Sequence, residues 1–314
     1  YVQAAPPNIE QLNHFNFGSC NKQFAEQPHW QEILQRQPQF FMWVGDAYYA
    51  DTEDRDTLEE KMLTQYNHPD YIPLRESVPV IGVWDDHDFG DNDTDRTYPL
   101  REFAQQNYLD FVDEPLESNR RDQNGIYTAY DFGDVKIIML DIRYHRDNSS
   151  KKGDMLGEEQ WQWFQQQIQN STAKIHFIVS GSTVTTPSIM SSEQWRNHKP
   201  DFKRLFKLVG NTSGVIFLSG DIHISAFLFK EINDRKYPEF VASGMTHGKS
   251  SGLTKWFLKR LLGKENLNFN RNFGDVQIER GRETIVHFRS QSVGKDVKFH
   301  KQLRLQQDGS WELL

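Results

Sequence analysis

Five short apolar runs, Phe40–Val44, Val78–Trp84, Val135–Leu140, Ile175–Val179 and Val215–Leu218, restrict the folds open to this chain more than any other feature. They are nearly continuous and rich in β-branched and aromatic residues, which suits strands buried on both faces. Between them apolar residues recur at helical spacing: Trp30, Ile33 and Leu34; Trp161, Phe164 and Ile168; and Trp195, Phe202, Leu205, Phe206 and Leu208 within Ser191–Val209. Alternating strands and helices predict an α/β sheet with helices on both faces. Glu283–Ser290 and Phe299–Leu305 also read as strands, without convincing helices between them, and predict a final antiparallel extension of the sheet. With 314 residues, 37% of them hydrophobic, and no internal repeat, one domain is expected over 1–314.

The formal charge of −8 argues against general affinity for nucleic-acid backbone, so an anionic substrate would need local positive charge, most simply from metal. A single cysteine, Cys20, excludes an intramolecular disulfide. No apolar run approaches the ~20 residues of a membrane-spanning helix. The Ala-Ala-Pro-Pro stretch at Ala4–Pro7 reads as the start of a chain freed from a leader, and an exported protein is expected, periplasmic, secreted or lumenal. Glycosylation sequons at Asn92, Asn148, Asn170 and Asn211 matter only in a glycosylating secretory pathway.

Ligands of α/β sheets gather at the carboxyl ends of strands. Here Phe15–Ser19 leads to Cys20-Asn21, Phe40–Gly45 to Asp46 and Tyr49, and Val78–Trp84 to Asp85-Asp86-His87-Asp88. Val135–Leu140 leads to Asp141 and Arg143, and Val215–Gly220 to Asp221 and His223. Singly, each has an ordinary reading: a turn-capping aspartate, a small buried cysteine, a core histidine. Together they would crowd carboxylates, a thiol, a phenol and imidazoles onto one edge, and only cations relieve the repulsion. Two or more metal ions are the economical expectation, with Asp46 bridging and Asp221 and His223 on one side of an extended segment. Arg143 would clamp phosphate bidentately or pair with Asp85 or Asp88.

Phe17-Gly18-Ser19-Cys20-Asn21, Val44-Gly45-Asp46-Ala47-Tyr48-Tyr49-Ala50-Asp51, Trp84-Asp85-Asp86-His87-Asp88, Leu140-Asp141-Ile142-Arg143-Tyr144-His145-Arg146 and Leu218-Ser219-Gly220-Asp221-Ile222-His223 make the chain resemble the alkaline phosphatase D (PhoD-like) family of calcineurin-like metallophosphoesterases. The resemblance implies a four-layer α/β/β/α sandwich in place of one doubly wound sheet, with metals in loops at the sheet edge. It implies Fe3+ held by Cys20, Asp46, Tyr49 and His223, and a second centre, typically one or two Ca2+, held by Asp46, Asp221 and either Asp86 or Asn92; other divalent metals fit the same donors. His87 stands where the wider superfamily has a histidine that stabilises the transition state or protonates the leaving group, against a structural hydrogen bond as the plainer role. His247, in Gly244-Met245-Thr246-His247, is expected to line the pocket. The chain reaches its first motif almost at once, and so is expected to lack the N-terminal β-domain of the best-known bacterial members.

The expected activity is hydrolysis of phosphate diesters, monoesters or both by a metal-bound hydroxide, in a monomer. In Lys255–Lys264, Trp256, Phe257, Leu258, Leu261 and Leu262 alternate with Lys255, Lys259, Arg260 and Lys264. Such a helix packs on the core with a solvated basic face, or makes peripheral contact with an anionic membrane, and it favours a lipid-derived diester as substrate. The competing classes are a metal-, lipid- or carbohydrate-binding protein that kept the fold, and a zinc hydrolase, whose ligands would be predominantly histidine.

Overall fold

A strand sends successive side chains to opposite faces, and in Val135–Met139 both faces carry buried apolar residues. Val135, Ile137 and Met139 enter a buried cluster with Phe15, Phe177 and Phe240, whereas Ile138 and the following Leu140 enter another with Trp161, Phe164 and Phe206. One face is covered by a second sheet and the other by helices. The structure, a computed structural model, describes residues 8–147, 153–187, 193–248 and 252–314. Ala4–Pro7, Asn148 and the first two residues of Ser191–Val209 lie outside the described residues.

The chain enters the first sheet with β1 (His14–Gly18), β2 (Phe41–Val44) and β3 (Val80–Val83). It then builds the second with β4 (Thr128–Phe132), β5 (Val135–Met139), β6 (Ile175–Ser180), β7 (Val215–Ser219), β8 (Ser225–Ile232), β9 (Arg235–Ala242) and β10 (Leu267–Asn268). Finally it returns to the first with β11 (Asn272–Arg280), β12 (Thr284–Ser292), β13 (Val297–Leu305) and β14 (Trp311–Leu313). The strand orders are β14-β13-β12-β11-β1-β2-β3 and β10-β8-β9-β7-β6-β5-β4. Strands β1–β3 pair in parallel, as do β5–β7, and β11–β14 add antiparallel strands beyond β1.

The helices are α1 (His29–Gln35), α2 (Arg55–Tyr66), α3 (Ile72–Ser77), α4 (Asp86–Phe89), α5 (Arg101–Phe111), α6 (Gly157–Gln169), α7 (Lys199–Val209) and α8 (Gly252–Leu262). Trp30 of α1 packs edge-on against Phe41 and Trp43, and Phe111 of α5 meets Trp43, covering the outer face of the first sheet. Phe206 of α7 packs against Phe217 on the outer face of the second. Between the sheets, Phe15 meets Phe177 at 5.3 Å and Phe240 stacks on Phe288 at 4.3 Å. The result is four layers, α/β/β/α.

The single doubly wound sheet expected from periodicity is therefore wrong, and the four-layer expectation is right. Periodicity shows that a strand is covered on both faces but not whether a helix or another sheet covers it. The five apolar runs became β2, β3, β5, β6 and β7. The C-terminal strands do extend a sheet in antiparallel fashion, that of β1–β3. Trp195 lies in a separate 3-10 turn, because α7 begins only at Lys199, with Pro200 in its first turn where a missing N–H costs nothing. Strands β8 and β9 went unpredicted although Asn233-Asp234 joins them with both residues at positive φ, the two-residue hairpin signal. No helix among the described residues is long and apolar enough to cross a membrane.

Candidate metal centre

The carboxyl ends of the parallel strands of both sheets meet at one place, and glycines let them. Gly45 follows β2 at φ 94°, and a Cβ there would lie 2.6 Å from Asp85 Cβ. A Cβ on Gly220, after β7, would lie 2.4 Å from Ser19 Oγ and 2.5 Å from the Val44 carbonyl. The backbone ties the loops together: Gly220 N–H donates to Gly181 O at 2.9 Å, Asn21 N–H to Asp46 O at 2.9 Å, and Gly244 N–H to Ser19 O at 3.1 Å.

The Cys20 thiol donates to Asp46 Oδ2 at 3.1 Å and lies 3.0 Å from Ser243 Oγ, which accepts from the His223 backbone N–H at 2.8 Å. The ring of His223 lies 4.4 Å from that of His247, and His247 Nε2 lies 3.4 Å from Tyr49 Oη. Tyr49 in turn lies 4.1 Å, ring to ring, from His87. A carboxylate oxygen each of Asp46 and Asp86 and a ring nitrogen of His87 fall within 4.8 Å of one another. Cys20, Asp46, Tyr49, Asp86, His87 and His223 are thus brought into one continuous cluster, with Asp221 close enough to act on the Cys20 thiol electrostatically. Asn92 is exposed, in the loop after α4, where the next residue's N–H donates to Asp86 Oδ2 at 2.8 Å.

Without cations the cluster is electrostatically uncomfortable. Burial, opposed by the Ser243 bond, leaves the Cys20 thiol pushed up to about 11. Burial and the neighbouring Cys20 and Asp86 push the Asp46 carboxyl well up, and burial with Cys20 and Asp46 does the same to the Tyr49 phenol. Burial would raise Asp86 too, but the charges of Arg143 and His87 outweigh it and hold this carboxyl low. Burial opposes protonation of His87, yet its Nδ1 lies 2.5 Å from Asp51 Oδ1 and this bond pushes the imidazole up to about 10. Asp46 Oδ1 is buried with no hydrogen-bond partner, a cost native structures rarely bear, and it is what a cation at Asp46 would relieve. Backbone strain collects at the same place: Cys20, Asp46, Asp221 and His223 have φ of 58°, 50°, 70° and 57°, as do Asp51 and Asp93 at 43° and 61°. The donor set therefore fits metal ions, with thiolate, phenolate and imidazole beside hard carboxylates.

Arg143 takes the pairing alternative. Its side chain is fully buried, with Nε donating to Asp85 Oδ1 and Nη2 to Glu193 Oε2, both at 2.6 Å, and Nη1 to Thr94 O at 3.3 Å. The third charge it faces is Asp86, at 3.7 Å. Bidentate phosphate clamping would require it to leave these partners. Asp88 and Asp141 are structural: Asp88 closes a capping box with Asp85 and accepts from Tyr48 N–H, and Asp141 accepts from Trp84 Nε1 and from three backbone N–H groups.

Sequence reasoning missed Glu193, which bridges Arg143 and Arg146 at 2.6 Å each, and Asp51, Ser243 and Asp93. It also missed Glu239, buried in β9, which accepts from Val184 N–H, Thr185 N–H, Thr185 Oγ1 and Ser219 Oγ and so fixes the loop after β6 against the end of β7. Only Asp51 carried a local signal, being inside the Gly45–Asp51 motif.

Two face-packed sheets whose strand ends converge on a buried cluster of metal-type donors define a metallophosphoesterase fold. The family model of PhoD-like phosphatases matches residues 15–293, and the chain belongs to that family. Phosphoester hydrolysis served by metal ions is accordingly its general class of chemistry. Among solved structures, PhoD is similar at a TM-score of 0.79 and 17% identity, over 99% of this chain and 73% of that one. A dimetal phosphatase from Danio rerio is similar at 0.57 and 9% identity, over 94% of this chain and all of that one. An anchor protein of the inner membrane complex of Plasmodium is similar at 0.55 and 11%, over 94% and 89%. At these identities the likenesses speak for the fold. No curated protein sequence matches significantly.

Proposed function

We propose that the chain hydrolyses phosphate esters, with diesters preferred over monoesters, at a centre of one ferric ion and one or two calcium ions. The supporting observation is the partnerless, buried Asp46 Oδ1 at the middle of the converging donors. In this reading Cys20, Asp46, Tyr49 and His223 hold iron, and Asp46, Asp86 and Asp221 hold calcium, with Asn92 as the rival of Asp86. Cations held by these residues would neutralise the carboxylates and supply Lewis acidity to the phosphoryl oxygens and to water. His87, fixed by Asp51, gives a proton to the leaving oxygen. Arg143 acts through others: it holds Asp85 and faces Asp86, and so sets the loop that carries His87.

Asp46→Asn tests the centre. Iron and calcium content by elemental analysis, and hydrolysis of bis-p-nitrophenyl phosphate and p-nitrophenyl phosphate, should fall together. Undiminished metal and turnover in that variant would refute the assignment. Tyr49→Phe should also shift and weaken the visible charge-transfer band of the iron-loaded protein, to which the Cys20 thiolate would contribute as well; an unchanged band would remove Tyr49 from the iron.

A further inference from the structure

Helix α8 is apolar on two faces, and the fold covers only one. Leu258 is buried in a cluster with Ile222, Ile224, Ala226, Leu228, Val241 and Leu267, against which Leu262 also packs. The opposite stripe, Leu253, Trp256, Phe257 and Leu261, follows the i, i+3, i+4, i+8 spacing of one helical face and is 79%, 59%, 44% and 45% exposed. These are four of the eleven exposed large hydrophobic residues among the described ones, gathered on one helix. Single exposed apolar residues are ordinary, but a stripe of this size with two aromatic rings marks an interaction surface.

Charge says what the surface meets. Gly252–Leu262 contains Lys255, Lys259 and Arg260 and no acidic residue, and Lys264 follows it, in a chain whose formal charge is −8. The Arg260 guanidinium lies 5.8 Å from the Trp256 ring of the stripe, and Lys255 and Lys259 stand on the side of the helix toward the inner cluster, 5.7 and 5.8 Å from Phe269, which packs against that cluster. A purely apolar partner face would not call for this flanking charge. Lipid headgroups above an acyl boundary do, with Trp, Phe and Leu entering the boundary and Lys and Arg reaching the phosphates.

We propose that α8 docks the protein on the surface of an anionic lipid bilayer. The inner face of the helix shares its cluster with Ile222, which lies between Asp221 and His223, so one helix thickness, about 10 Å, would separate the docked bilayer from the loop that carries two of the candidate ligands. The docking does not depend on the hydrolytic reading, because vesicle binding is scored with no substrate turned over.

The test is flotation with vesicles of phosphatidylcholine alone and of phosphatidylcholine mixed with phosphatidylglycerol. The full chain should float with the mixed vesicles only, and less as salt rises. Each interfacial cation contributes about fivefold to partitioning, so Lys259→Glu with Arg260→Glu should weaken binding by roughly 25-fold or more. Trp256→Ser with Phe257→Ser should abolish it. All four positions are exposed, and unchanged far-UV circular dichroism would show that the variants are folded. Absent flotation, equal flotation with neutral vesicles, or mixed-vesicle binding that survives both double substitutions would overturn the proposal. So would light scattering that shows a dimer dissolved by the Trp256 and Phe257 substitutions in a protein that ignores vesicles, since a second copy would then be the occupant.

Discussion

Replacing Arg143 with methionine removes a fully buried guanidinium from between carboxylates at the candidate site, and the structure says which of them will suffer. Glu193 keeps Arg146, whose Nη2 lies 2.6 Å from Glu193 Oε1. Asp85 loses the one ion pair it has among the described residues and keeps a Ser182 hydroxyl at 3.4 Å and the Asp88 backbone N–H of the capping box. Breaking a buried pair and leaving one charge behind costs roughly 3–5 kcal/mol. Burial already pushes the Asp85 carboxyl up to about 7 with Arg143 beside it. Without Arg143 it would be protonated at neutral pH, which limits the loss to about 3 kcal/mol, the lower end of that range. For a chain of this length the melting temperature should fall by roughly 4–5 °C. Urea and thermal unfolding should be measured on chelated protein, so that the loss is not confused with metal affinity through Asp86. Adding Asp85→Asn to Arg143→Met should return much of the lost stability, whereas adding Glu193→Gln should not. A loss under about 1 kcal/mol, or equal rescue by both second substitutions, would show that the Arg143–Asp85 pair does not hold this loop.

Glu239→Gln should cost roughly 1–3 kcal/mol by denaturant titration, because an amide must turn N–H groups toward some of the four donors that the carboxylate now accepts from; wild-type stability would mean that the loop after β6 is fixed by other contacts. Asp201 is held by burial and by Asp154 with its carboxyl pushed up to about 7, above its unfolded value. The folded state therefore binds the extra proton, and this contribution is fully present below the unfolded pKa and lost as pH rises toward about 7. Asp201→Asn should flatten the stability profile across that window, and an unchanged slope would rule the group out.

Much of the candidate site is visible in the sequence because its donors follow strands directly. Cys20, Asp46, Asp86 and Asp221 each stand within three residues of an apolar run, and the edge of an α/β sheet converts that linear position into a spatial one. The partners that complete the site are not visible in this way. Glu193 reaches Arg143 across 50 positions, and Ser243 reaches Cys20 across 223, from segments with no local mark.

Local sequence determined the strands of the parallel cores, the helices that alternate with them and the residues at their ends, because alternation and helical spacing are set by the geometry of a few neighbouring residues. Tertiary structure alone decided that the strands divide into two sheets, that Arg143 is buried among carboxylates, and that α8 keeps one apolar face in and one out. Each of these depends on what lies across a packed interface, and hydrophobic burial is blind to chain order: Phe177 satisfies Phe15, and Phe288 satisfies Phe240, however far apart the residues stand in sequence.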